Sequence, residues 1–84
     1  MTTNIKMWFE IGMSLGTLQH SWNADKSMYP ENEVTEVDNL LENLTLRAKR
    51  VSHPTRKLIH HFINRMFEIL TVIEEIEEKC KIEE

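Results

Sequence analysis

The apolar residues of this chain recur at alternating intervals of three and four, which places their side chains on one face of an α-helix. Three such runs are present, and they predict helices over about residues 4–22, 33–51 and 55–81. The first run is Trp8, Ile11, Leu15, Leu18 and Trp22; the second is Val34, Val37, Leu41, Leu44, Ala48 and Val51; the third is Ile59, Phe62, Met66, Ile69, Ile73, Ile76 and Cys80.

Two polar segments separate these runs and predict the connections. Residues 23–32, NADKSMYPEN, are rich in turn-forming residues, and Pro30 marks the end of that connection. In SHPT, residues 52–55, either Ser52 or Thr55 is expected to cap the third helix. Because this second joint is short, the last two helices are expected to pack antiparallel. The chain is therefore predicted to be all-α, a single domain over residues 1–84 that forms a small antiparallel three-helix bundle with a long C-terminal helix.

The third helix is predicted to pack against two neighbours and to extend past the second. Leu58, Ile63, Leu70 and Val72 widen its apolar stripe. At 1.5 Å per residue, the third helix spans about 40 Å and the second about 28 Å. Three apolar residues near the first connection are expected to cover the overhang: Trp22, Met28 and Tyr29.

The two glycines of the chain, Gly12 and Gly16, lie one turn apart inside the first predicted helix. Each weakens a helix interior by about 1 kcal/mol relative to alanine. Together with Ile5 and Phe9 they occupy a flank beside the apolar stripe, where the missing side chains would let another backbone approach closely. The third helix of the same chain, or a second chain, is expected to fill this space, unless the helix kinks or ends there.

The charges are grouped along the sequence. Ten Lys and Arg oppose 14 Asp and Glu, for a formal net charge of −4. By segment the formal charge is 0 for residues 1–29, −5 for 31–45, +6 for 46–66 and −5 for 67–84. Antiparallel packing of the last two helices would gather basic residues at one end and acidic residues at the other. A second copy docked head to tail would set opposite charges together twice, which predicts a homodimer.

The basic segment 47–65 raises the alternative of nucleic-acid binding. It holds six Lys or Arg and three His with no acidic residue, as a phosphate-binding patch requires. Three of these cations, however, lie where a helix C-terminus favours positive charge, and the net charge of the chain is negative. Contact between this segment and a protein is therefore the favoured expectation, ahead of binding to nucleic acid.

Candidate chemistry is sparse in this sequence. His60 and His61 have no His, Cys, Asp or Glu three or four residues away, so no metal site is predicted. The lone cysteine, Cys80, is surrounded by glutamates that favour its protonated, unreactive thiol. We therefore predict no catalytic or cofactor-binding residue. The single cysteine, and the absence of an apolar segment long enough to cross a bilayer, predict a cytoplasmic protein with no membrane association.

Phe67 lies outside the apolar stripe of its helix, and Leu46 lies opposite that of the second. An aromatic anchor buried in an interface beside an arginine is typical of a binding hot spot, which makes Phe67 with Arg65 or His60 a candidate contact. The prediction is a non-enzymatic helical protein–protein interaction module that acts as an adaptor, regulator or inhibitor and self-associates. Its predicted partner-binding residues are Gly12, Gly16, Arg47, Arg50, Arg56, Lys57, His60, His61, Arg65 and Phe67. The alternatives are a nucleic-acid-associated regulator using segment 47–65 and a structural subunit of a helical assembly.

Overall fold

The computed structural model describes residues 3–83, with side chains over residues 3–81. Within that range the chain forms helix α1 (Thr3–Asp25), a 3₁₀ turn (Lys26–Met28), helix α2 (Glu31–Lys49) and the long helix α3 (Arg56–Glu83). The predicted all-α fold of three packed helices is confirmed. The first two helices differ from prediction mainly in their ends: α1 continues three residues past Trp22, and α2 begins and ends two residues earlier.

The helix starts follow from local hydrogen bonds. Pro30 precedes α2, and its carbonyl oxygen accepts from the backbone N–H groups of Glu33 and Val34 at 3.1 and 3.0 Å. At the start of α3 the hydroxyl oxygen of Thr55 accepts from the backbone N–H of Leu58 at 3.2 Å. Thr55, of the two candidates, is therefore the N-cap residue of α3.

Helices α1 and α3 run parallel, and α2 runs antiparallel to both. Trp8 near the start of α1 packs edge-on against Phe62 near the start of α3, with ring centroids 5.0 Å apart. Between α2 and α3, Lys79 reaches Glu33 at one end and Arg47 reaches His61 at the other. The molecule is elongated, 50 × 18 × 18 Å.

Among residues 3–81 the core holds ten buried apolar side chains, and every one belongs to a predicted run. Burial of a side chain of this size contributes about 1.5–3 kcal/mol. They are Ile11, Leu15 and Trp22 from α1, Val37, Leu41 and Leu44 from α2, and Ile59, Phe62, Ile69 and Ile76 from α3.

The first connection packs on the C-terminal half of α3 through two of the three predicted residues. Trp22 is buried and stacks on the ring of Tyr29, with ring centroids 5.7 Å apart and the planes at 4°. The hydroxyl of Tyr29 donates to Glu77 Oε1 at 3.5 Å. Met28 is exposed, so the expectation that it covers α3 is wrong.

Gly12 and Gly16 are not covered by α3. A Cβ atom added at either glycine would find no heavy atom within 4 Å, and α1 continues well past both. The expectation that the third helix fills this space is therefore wrong, as is the expectation that α1 ends there. The reason is the geometry of the helix. Ile11 and Leu15 point to the core, and Gly12 and Gly16, which follow them, are rotated away from that direction by about 100° around the helix axis.

Candidate protein-binding groove

An open groove of about 850 Å³ runs between α1 and α3; we call it the α1–α3 groove. No α2 residue lines it. Its apolar lining is Met7, Ile11, Met13, Leu18, Trp22, Ile63, Met66, Phe67, Leu70 and Ile73. Its polar lining is Glu10, Ser14, Thr17, Ser21, Asp25, Tyr29 and Glu77.

The groove is open because the facing walls of the two helices differ. On α3 the apolar stripe is wide, and Leu70 and Phe67 continue it onto the exposed surface, with Phe67 63% exposed. On α1 the facing positions include the short side chains of Ser14, Thr17 and Ser21. Apolar side chains of α3 are therefore left facing solvent, as is common where a protein binds a partner.

The charged residues of the groove are all acidic. They are Glu10, Asp25 and Glu77, and none of the lining residues is Lys, Arg or His. Among residues 3–81, neither Glu10 nor Asp25 forms an ion pair with a cation, whereas Glu77 accepts from Tyr29. Burial raises the pKa of the Tyr29 hydroxyl, and the negative charges of Glu77 and Asp25 raise it further. The groove walls thus present an electronegative surface.

The predicted basic residues gather at the end where α2 meets α3, and some already have partners. Arg47 Nη2 lies 3.1 Å from His61 Nε2, and because a guanidinium only donates, the imidazole nitrogen accepts. Arg65 pairs with Glu68 on its own helix at 3.0 Å. The remaining members of this basic end are exposed: Arg50, Arg56, Lys57 and His60.

At the opposite end, carboxylates from α2 and α3 are only partly neutralised. Lys79 pairs with Glu33 at 3.4 Å, and Lys26 pairs with Asp38 at 3.5 Å. Pairs such as these, which solvent still reaches, contribute about 1 kcal/mol each or less. The other carboxylates of this acidic end include Glu31, Glu36, Glu74, Glu75 and Glu78, all exposed.

The structure distributes the predicted binding residues over three surfaces. Phe67 lines the α1–α3 groove, without the predicted neighbours Arg65 and His60. Gly12 and Gly16 lie outside the groove lining on an exposed face of α1 that also carries Ile5 and Phe9; we call it the glycine face. The other predicted residues form the basic end, apart from Arg65, which is paired along α3.

Sequence reasoning missed most of the groove. Met7, Met13 and the small polar residues of α1 were not among the predicted contacts. The available signal was the width of the α3 stripe, since Ile63 and Leu70 both line the groove.

Within the described part of the chain, no group of three or more His, Cys, Asp and Glu residues is arranged to hold a metal ion. None of the helices described here has the length and apolar character needed to cross a bilayer.

Comparison of the chain with protein-family models, with curated proteins and with solved structures gave no match.

Proposed function

We propose that this protein is a non-enzymatic helical protein–protein interaction module that acts as an adaptor, regulator or inhibitor of a protein partner. The observation that carries the proposal is the open apolar α1–α3 groove, with Phe67 on its wall. Along α1 the groove extends from Met7 to Asp25, a distance of about 27 Å at 1.5 Å per residue. A partner helix of about five turns matches that length, and helix-in-groove docking is a common mode of peptide recognition.

The shape and composition of the groove favour a protein over a small molecule. Small-molecule sites bury about 70–90% of the surface of their ligand, whereas this groove is long and open to solvent. Met7, Met13 and Met66 line it. Methionine side chains are flexible and polarisable, so they adapt to the varied apolar anchors of a partner helix.

Two matched variants test this function. Phe67→Ala and Phe9→Ala remove the same ring from similarly exposed positions, 63% and 72%, but only Phe67 lines the groove. A partner captured from the native host should bind Phe9→Ala as it binds the unaltered protein. We expect Phe67→Ala to weaken that binding by at least about 30-fold, as loss of a hot-spot residue does. Equal binding by both variants, or equal loss, would rule out the groove as the binding surface.

A second candidate, self-association, is favoured by a different observation. The basic and acidic ends remain separate, and the glycine face exposes Phe9 beside two positions with open space. Two copies related by a two-fold axis, with α1 against α1 in antiparallel orientation, would cover Phe9 and set each basic end beside an acidic end. We expect a dimer in sedimentation experiments that weakens at high salt and in Phe9→Ala. A monomer at every concentration and salt would remove this candidate.

We also propose a contact role for the basic end. The exposed cations Arg50, Arg56 and Lys57 would contact an acidic surface of a partner or of a second copy. Nucleic-acid binding by segment 47–65 has less support, because Arg47 already contacts His61 and Arg65 already pairs with Glu68.

The single cysteine, Cys80, supports a reducing compartment, and we propose a cytoplasmic location.

A further inference from the structure

The charged residues on the walls of the α1–α3 groove indicate which charge its occupant should have. Every one is a carboxylate, and the rest of the lining is apolar or carries a hydroxyl. We propose that the occupant is a basic amphipathic helix of a partner protein, an inference that rests on the proposed function. Its apolar stripe would contact the apolar lining of the groove, and its Lys or Arg side chains would contact the carboxylates on the walls.

The positions of the carboxylates specify where the cations of that helix should lie. Glu10 is near the end of the groove that begins at Met7, while Asp25 and Glu77 are at the other end. Glu10 and Asp25 are about 22 Å apart along α1, at 1.5 Å per residue. A bound helix would therefore carry Lys or Arg near both ends, with apolar residues between them facing Met66 and Leu70.

A second copy of this chain fits the groove less well than a basic helix does. Head-to-tail docking of two grooves would bring Glu10 of one copy towards Asp25 and Glu77 of the other. Like charges placed together across an interface oppose binding. Neither Glu10 nor Asp25 has a cation partner among residues 3–81 that would offset this repulsion.

The test uses two synthetic peptides of 18 residues with the same leucine and phenylalanine stripe. One carries Lys and Arg on its polar face and the other carries Glu. Calorimetric titration into the full-length protein should give a Kd at least about tenfold lower for the basic peptide. Phe67→Ala should weaken that binding strongly, and Phe9→Ala should not.

Matched charge variants separate groove contacts from general attraction to an acidic protein. The double variant Glu10→Gln and Asp25→Asn removes two carboxylates from the groove, and it should weaken the basic peptide about fivefold. The double variant Glu36→Gln and Glu42→Gln removes the same charge from exposed positions of α2, none of whose residues lines the groove. The second variant should change the affinity by less than about twofold, because its charges are distant and screened.

Several results would overturn the assignment. Tighter or equal binding of the acidic peptide would do so, as would equal weakening by the two charge variants. Self-association abolished by Phe67→Ala would put a second copy in the groove instead. If neither peptide binds but capture of a partner still depends on Phe67, the proposed function stands and the basic helix is the wrong occupant.

Discussion

The indole N–H of Trp22 donates to Asp38 Oδ1 at 2.8 Å and so joins the C-terminal part of α1 to α2. Trp22 is 2% exposed, and the half-buried Asp38 carboxylate is the acceptor for its indole N–H. Asp38 also accepts from Lys26 Nζ at 3.5 Å. This carboxylate therefore fixes both the end of α1 and the start of the first connection against α2.

Replacement of Asp38 should destabilise the fold. Asp38→Ala removes the acceptor of the indole N–H and the partner of Lys26, and we expect the free energy of unfolding to fall by about 1–3 kcal/mol. Asp38→Asn retains an acceptor oxygen and should lose less. Urea unfolding followed by tryptophan fluorescence measures both variants, with Glu36→Ala, an exposed carboxylate of the same helix, as the control. A loss in Asp38→Ala no larger than in the control would show that the hydrogen bond contributes nothing.

Alanine at the glycine face should stabilise the monomer. Gly12 and Gly16 lie inside α1 without a positive φ angle, and an added Cβ meets no atom within 4 Å at either position. We therefore expect Gly12→Ala and Gly16→Ala each to raise the free energy of unfolding by about 0.5–1 kcal/mol. Thermal unfolding at low protein concentration measures this change. A decrease would mean that something packs against the glycines, and a weaker dimer in the same variants would identify it as a second copy.

Truncation of two phenylalanines of α3 should change the stability of the fold by very different amounts. Phe62 is fully buried against Trp8, so Phe62→Ala should lower the free energy of unfolding by about 3–5 kcal/mol. Phe67 is largely exposed, so Phe67→Ala should change it by less than about 0.5 kcal/mol while binding in the groove is lost. Circular dichroism during urea unfolding gives both values. A Phe67→Ala variant that unfolds as easily as Phe62→Ala would make this ring a core residue.

Tyr29, the only tyrosine, provides a direct probe of the acidic end of the groove. Its pKa is raised from the ordinary value of 10.0, chiefly by burial and then by Glu77 and Asp25. As pH rises through about 10, the unfolded chain loses this proton first, so stability is full below that pH and falls above it. The tyrosinate absorbance should therefore titrate above pH 10 in the folded protein. In Glu77→Gln the midpoint should move part of the way back, because burial remains.

A midpoint at the ordinary tyrosine pKa in the folded protein would contradict this account of Tyr29. Titration in denaturant is the control, since the unfolded chain should return the ordinary value whatever residue stands at position 77. An unchanged midpoint in Glu77→Gln, with the raised value retained, would leave burial as the cause and remove the contribution of the carboxylate.

The helices and their core could be predicted because they depend on local spacing. Each of the ten buried side chains belongs to a run with intervals of three and four, as a helix with one buried face requires. Pro30, and Thr55 as one of two cap candidates, could be predicted for the same reason, since helix ends depend on a few adjacent residues. Because the chain reverses direction at both connections, α1 and α3 run parallel.

The groove could not be predicted because it depends on how α1 is rotated against α3. Gly12 is one residue from buried Ile11, and the sequence alone does not show on which flank α3 packs. In the structure α3 faces the flank that carries Ser14 and Thr17, which leaves the glycines exposed. Phe67 could be identified as lying outside the stripe, but its neighbours across the groove could not.

The most direct test of the central claim, that the α1–α3 groove is the binding surface, is a chemical-shift map of the isotope-labelled protein with a captured partner. We predict that the largest changes fall within residues 7–25 and 63–77 on the groove side, with little change around Leu46 on α2. Changes concentrated on α2 or at the basic end, with the groove residues unaffected, would contradict the account.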